Sequence, residues 1–209
     1  MQELITAIGR IPTATLHEAM GRRGAMLSYI KPIRSGMKLV GRALPVRCPA
    51  ADNLGLHAAI AMAKPGDVLV ASMDGNTEGG AWGEIATVAA QVRGIRGLVI
   101  DGAVRDTERI CALQFPVFAK GVSIKGTTKK TLLSVGQPVV CGGVLVNPGD
   151  IVVGDDDGVV VVPLGEAEKV LKAATEKERT EAEILEQIRQ GKLTVDLLGL
   201  RPLLEGEKR

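Results

Sequence analysis

Two continuous apolar runs, DVLVAS at 67–72 and GLVID at 97–101, frame the stretch WGEIATVAAQVRG, whose apolar spacing is helical and which Gly94 closes. No other feature narrows the possible folds as far. Strand, helix and strand over 67–101 have the length of a βαβ crossover. Neither run alternates apolar with polar residues, so both strands are predicted to be parallel and buried on both faces. Ligands of parallel sheets collect beyond the carboxyl ends of the strands. The loops that follow the two runs therefore open on one rim. Glu84 stands where the first loop enters the helix, and Arg105 and Asp106 follow the second strand. One crossover separates them in sequence and returns the chain to the same edge.

Three chemical elements converge there. The free N–H groups of the helix start, around Gly83, Glu84, Ile85 and Ala86, favour an anion such as a carboxylate. Arg105 offers a planar fork for a carboxylate or an enolate. Asp106, with Glu84, offers hard oxygen ligands to Mg²⁺ or Mn²⁺. An anion cradle, a fixed cation and a divalent metal suit a small 2-oxo acid. The glycine loop GGAWG lacks both the G-x-G-x-x-G spacing and a following P-loop lysine, which leaves nucleotide binding with little support.

Around this unit the chain reads as a mixed fold. MQELITAIGRI is a short helix ending near Gly9, and TLHEAMGRRG a second, with Thr15 and Glu18 as a capping box. KLVGRALPVRC is a strand in which Pro45 suggests an edge or a bulge. ADNLGLHAAIAMAKPGD is helical from Asp52 or Asn53 and stops before Pro65. The predicted helix over WGEIATVAAQVRG begins with Trp82, Gly83 and Glu84, and Trp82 fits either a pocket wall or the core. After a short helix at DTERICAL come FPVFAK, QPVVCG, VLVNPGDIVVGD and GVVVVP, β runs without helices between them. A small βαβ half packed on a mainly antiparallel layer is the expected result. Residues 165–192 form a long charged helix whose interrupted apolar stripe suits burial on its own chain or on a neighbouring subunit. The tail that follows ends polar.

Composition removes several classes of function. With 26 basic and 24 acidic residues in 209, the short basic clusters Arg22–Arg23 and Lys129–Lys130 are not runs and read as solvated surface, not as a duplex-binding face, and 2% aromatics leave few rings to stack on bases. The 45% apolar content predicts a globular core of Val, Ile, Leu and Ala. Three scattered cysteines, Cys48, Cys111 and Cys141, without a C-x-x-C, fit a reducing cytoplasm and roles as small buried hydrophobes. No stretch reaches the length of a membrane span, and MQELITAIGR does not read as a targeting peptide. His17 and His57 are not spaced as a metal pair and read as structural histidines. Asp155–Asp156–Asp157 sits between two β runs and reads as a hairpin turn.

The order Glu84, Arg105, Asp106 inside WGEIATVAAQVRGIRGLVIDGAVRD resembles the RraA-like family, as do ADNLGLHAAIAMAKPGDVLV before it and VNPGDIVVGDDDGVVVVP after it. The resemblance extends over about 13–163. It includes the class II 4-hydroxy-4-methyl-2-oxoglutarate/4-carboxy-4-hydroxy-2-oxoadipate aldolases, in which the acidic position, Glu84 here, is often Asp. It implies an α/β domain, a layered β/β/α swivelling type with a βαβ unit, over residues 1–163. The C-terminal helix and tail, 164–209, would pack on a neighbouring subunit. A homotrimer or a dimer of trimers is implied, with the site at a subunit interface.

By the same resemblance Asp106 holds the metal, Arg105 contacts substrate, and Gly83–Ala86 cradle it. Glu178 or Glu181 would reach a neighbour's site. The implied reaction is metal-dependent cleavage of a 4-hydroxy-2-oxo acid to pyruvate, with oxaloacetate decarboxylation as a companion. The alternative is a non-enzymatic ring that binds a ribonuclease or other protein partner. A methyl-transfer enzyme is a third reading, against which the β-rich second half argues.

Overall fold

In a computed structural model that describes residues 1–204, the chain opens with helices α1 (Gln2–Ile8) and α2 (Thr13–Ala19). There follow β1 (Lys31–Pro32), β2 (Leu39–Arg47), α3 (Leu54–Met62), β3 (Asp67–Ser72), β4 (Gly80–Trp82), α4 (Glu84–Val92) and β5 (Gly97–Val104). The second half holds α5 (Thr107–Ala112), β6 (Val117–Val122), β7 (Ser134–Val135), β8 (Val139–Cys141), β9 (Val144–Val146), β10 (Ile151–Asp155) and β11 (Gly158–Val162). A 3₁₀ turn (Leu164–Glu166) leads into the long α6 (Ala167–Arg189), and short helices α7 (Thr194–Leu197) and α8 (Arg201–Leu204) end the described residues. The polar end of the predicted tail, 205–209, lies outside them.

The predicted βαβ unit is present. β3 and β5 pair in parallel from Val68–Gly97 to Ser72–Asp101, and every residue of both strands is buried. Continuous apolar runs form such strands because both faces need covering. β2 and β6 extend the parallel part on either side.

The expected separate antiparallel layer is instead a continuation of the same sheet, which runs β1-β6-β5-β3-β2-β10-β11. This mixed sheet curls until its ends face one another. Gly154 on β10 lies against the ring of Phe118 on β6, although β5, β3 and β2 stand between those strands in sheet order. A Cβ at Gly154 would come within 2.8 Å of that ring, so glycine is what permits the close approach. The β8–β9 hairpin closes this inner core, which includes Val70, Val99, Val152 and Val161.

Two further cores lie outside the curl. α3, α4 and α5 cover one side with Leu56, Ala90 and Ile110. On the other side Ile8, Leu16 and Val170, from α1, α2 and α6, pack on Ile151 and Val160. Each fully buried aliphatic side chain contributes roughly 1.5–3 kcal/mol, so a core almost without aromatic rings suffices at this length. Ala167, Val170 and Ala174 bury the first half of α6 on its own chain, whereas Leu185 farther along is half exposed.

Several local expectations need correction. β2 is an interior strand, not an edge. Pro45 is tolerated there because the neighbour of β2 changes from β10, whose pairing ends at Arg42, to β7, whose pairing begins at Val46. The missing N–H falls in that gap. Thr15 does not cap α2. Pro12 holds the cap position, and the N–H and Oγ1 of Thr13 donate to Asp155 at 3.0 and 2.7 Å. Glu18 pairs instead with Lys177 of α6. Trp82 belongs to β4, not to the helix that follows.

Other expectations agree with the structure. Asp156 and Asp157 form the two-residue turn between β10 and β11. His17 is held through Nδ1 to the Arg23 carbonyl at 2.9 Å, and His57 is half-buried in α3, its pKa lowered by burial and by Lys129. Burial pushes the Cys48 thiol up to about 11 and the Cys141 thiol up to about 12, as inert core cysteines require. Cys111 is only half-buried.

Candidate active site

β5 ends at Val104, and the two residues beyond it stand at the carboxyl rim of the sheet. The Arg105 N–H donates to the Trp82 carbonyl at 2.8 Å, which ties the turn after β5 to β4. Asp106 adopts a left-handed backbone, φ 54°. Asp is among the few residues that reach this region at modest cost. The turn gives the side chain an unusual direction. Asp106 occupies the cap position of α5, yet its Oδ2 accepts the N–H of Glu84 at 3.2 Å, at the start of α4. The Arg105 Nε lies 3.7 Å from the same oxygen, and Arg109 approaches Glu84 at 4.0 Å. The structure thus brings Glu84, Arg105 and Asp106 to one place, with all three side chains partly exposed.

The N-terminus of α4 is narrower as a cradle than the sequence suggests. Asp106 takes the Glu84 N–H, so the amides of Ile85 and Ala86 are the first-turn donors left without a protein acceptor among the described residues. On the Asp106 side of this corner a groove of about 380 Å³ is lined by Arg105, Asp106, Thr107, Glu108, Arg109, Val122 and Ile124. Gly83, the cap of α4, is fully extended at φ −153°, which any residue could adopt. Its necessity is spatial. A Cβ there would meet Asp106 Oδ2 at 2.4 Å.

Residues outside the Glu84, Arg105 and Asp106 set hold this corner together. The Asn53 Nδ2 donates to the Ala81 carbonyl at 2.8 Å and so positions β4, while its buried Oδ1 has no partner among the described residues. Trp82 is buried, stacked 6.1 Å from Phe115, and its Nε1 donates to Thr87 Oγ1, which in turn donates to the Gly83 carbonyl. Trp82 is therefore core, not pocket wall. The loop after β6 forms a further wall, with Gly126 beside the Arg105 guanidinium and the Lys125 carbonyl accepting the Gly80 N–H at 2.8 Å. No short motif marks these contacts. They join segments distant in sequence.

Among the described residues no group of three His, Cys, Asp or Glu is gathered for a metal. That donor set does not suit a closed tetrahedral site. It does suit Mg²⁺ or Mn²⁺, which keep several waters and need only one or two carboxylates plus substrate oxygens. Asp106 has an Oδ1 that accepts no hydrogen bond among the described residues, while its Oδ2 is held by the Glu84 N–H. Glu178 and Glu181 are not near this rim. They lie on α6, on the far side of the curl, where Glu181 pairs with Lys177 at 2.9 Å.

Comparison with known proteins gives concordant results. The RraA-like family (aldolase/RraA) matches residues 13–161. A protein of Halalkalibacterium halodurans named "Putative 4-hydroxy-4-methyl-2-oxoglutarate aldolase" is 34% identical over 203 residues, 97% of this chain and 94% of that one. An uncharacterized protein from Pseudomonas syringae superposes with a TM-score of 0.83 at 31% identity, covering 92% of this chain and 91% of the other. The Streptomyces coelicolor protein RraAS2, described as an unusual member of the RNase ES inhibitor RraA family, superposes at 0.78 with 33% identity, over 90% of this chain and 98% of its own. The curled sheet and the α4–β5 corner both lie inside the matched segment, and this chain belongs to the RraA-like family.

Proposed function

We propose that the chain is a lyase that cleaves 4-hydroxy-4-methyl-2-oxoglutarate or a related 4-hydroxy-2-oxo acid to pyruvate, with Mg²⁺ or Mn²⁺ as cofactor and oxaloacetate decarboxylation as a companion activity. The observation that carries this reading is the meeting of Arg105, Asp106 and Glu84 at the start of α4. The amides of Ile85 and Ala86 and the Arg105 guanidinium bind and orient the carboxylate of the pyruvyl end. Cleavage breaks the C3–C4 bond, and its electron pair becomes the enolate of pyruvate. Arg105 stabilises the charge that develops there. A carboxylate, from Glu84 or from a neighbouring subunit through Glu178 or Glu181, receives the proton of the C4 hydroxyl, directly or through a water. Asp106 would hold the divalent ion, which when bound supplies Lewis acidity at the 2-oxo and carboxylate oxygens.

A homotrimer or a dimer of trimers completes the proposal. Ile85, Val88 and Val92 form an apolar stripe along α4 beside the rim, with Ile85 81% exposed. Such a face is suited to a neighbouring subunit. The second half of α6 would add Leu185 to an interface of this kind.

The test is pyruvate release from oxaloacetate and from 4-hydroxy-4-methyl-2-oxoglutarate, with Mg²⁺ and with a chelator. Release with metal and its loss with chelator are expected. No release from either substrate with either metal would overturn the proposal. The second reading, a regulator that binds a ribonuclease, draws on the likeness to the Streptomyces protein. That reading predicts partner binding that survives Arg105→Ala.

Gly83→Ala separates geometry from fold. The added methyl displaces the Asp106 carboxylate from the Glu84 N–H, while the extended backbone accepts alanine. Pyruvate release is expected to fall at least about tenfold. Stability measured by denaturant unfolding should change by no more than about 1 kcal/mol.

A further inference from the structure

A cleft of about 1010 Å³ opens at the amino ends of the parallel strands, at the opposite end of β5 from Arg105 and Asp106. α1 and the last turn of α4 form its walls, and Val40, Ile95 and Phe115 lie among its lining. Its charged residues are Arg10, Lys38 and Arg96, with no Asp or Glu in the lining. All three are exposed, and none forms an ion pair among the described residues. Arg23, Arg42 and Arg109, by contrast, each approach a carboxylate. Lys38 also adjoins Asp155, Asp156 and Asp157 of the β10–β11 turn, and Arg10 adjoins Asp155; Asp155 is engaged by Thr13 and the Asp157 N–H, and Asp156 by Ser35 Oγ and the Gly36 N–H. Gln2, Gln91 and Gln114 add neutral amides to the lining.

Three cations without an ion-pair partner among the described residues, on a concave wall whose lining holds no carboxylate, focus a positive field. The carbonyl ends of α1, α4 and α5 all reach the lining and oppose an anion there with at most about half a charge each, less than the three full side-chain charges, so the side chains decide the sign. A monoanion would balance only one of them. We propose that this cleft binds a small polyanion, a metabolite bearing two or more phosphate or carboxylate groups. The site is separate from the Arg105 rim and does not depend on the reaction assigned to that rim.

Calorimetric titration of the full chain with pyrophosphate and, separately, with citrate tests this, in metal-free buffer at constant ionic strength. Saturable binding of at least one probe is expected, weakening as salt is raised. Tighter pyrophosphate marks a phosphate ligand, and tighter citrate a polycarboxylate. The double variant Arg10→Gln/Arg96→Gln should bind at least about tenfold more weakly, the scale of a lost charge-assisted hydrogen bond. Arg105→Ala should bind as the parent does. Both substituted arginines are exposed, so the fold is retained, which the melting profile of the variant checks. Heats no greater than those of sodium chloride in both arms would overturn the proposal. So would binding that Arg105→Ala abolishes and the double variant keeps, since the anion would then belong to the rim.

Discussion

Arg105→Ala is expected to lower pyruvate release from oxaloacetate by about one to two powers of ten, mainly through kcat. A cation that stabilises charge appearing only as the C–C bond breaks contributes more to the transition state than to the bound substrate. Full burial would place the loss near the upper end of what one such donor supplies, roughly a thousandfold. The Arg105 side chain is 44% exposed, and solvent screening moves the expectation downward. Arg105→Lys keeps the charge but loses the planar fork, so it should recover part of the rate. Arg105 also lies near Asp106 at 3.7 Å, an exposed pair whose loss costs little stability. Unfolding of the variant should therefore match the parent, and a rate equal to the parent's would remove Arg105 from the reaction. A raised KM at unchanged kcat would instead confine Arg105 to binding the substrate.

What could be read in advance divides along sequence distance. The β3–α4–β5 crossover was legible because continuous apolar runs and a helical period are local signals, and one crossover necessarily returns the chain to the same rim. The placement of Glu84 beside Arg105 and Asp106 follows from that. Curling of the sheet was not legible. It depends on Phe118 meeting Gly154 across three intervening strands, a contact between residues that no spacing links. Pro45 misled for a related reason. A missing N–H argues for an edge only where the neighbouring strand is continuous, and here the neighbour changes beside it. The apparent capping box at Thr15 and Glu18 was overridden by tertiary partners, Asp155 and Lys177, from the far end of the chain. The capture of the Glu84 amide by Asp106 needed a left-handed φ that Asp permits but does not announce.

Asp52→Ala is expected to cost about 3 kcal/mol of stability and to loosen the loop that borders Arg105. Asp52 is only 4% exposed. Its carboxylate accepts the Leu54 N–H at 3.0 Å, the Thr128 hydroxyl at 2.7 Å, and the N–H groups of Lys130 and Thr131 at 2.7 and 3.3 Å. One side chain thus joins the start of α3 to the loop whose Lys125 carbonyl holds β4 and whose Gly126 adjoins Arg105. Alanine leaves those donors without their acceptor; each hydrogen bond to a charged group contributes about 1.5–3 kcal/mol, and water reaching the exposed Thr128, Lys130 and Thr131 offsets part of the loss.

The pH dependence gives an independent check. Burial pushes the Asp52 pKa up, but the hydrogen bonds from Leu54, Thr128, Lys130 and Thr131 outweigh it and hold the pKa at about 2. An unfolded chain binds this proton near pH 3.9. With the folded value below the unfolded one, the stabilisation is complete above about pH 4 and disappears as pH falls toward 2. The difference in unfolding free energy between the parent and Asp52→Asn should therefore be constant from pH 7 to about 5 and shrink steeply below about 4. A difference that stays flat down to pH 2.5 would mean that the carboxylate charge does not hold the loop, and that the shape of the side chain does.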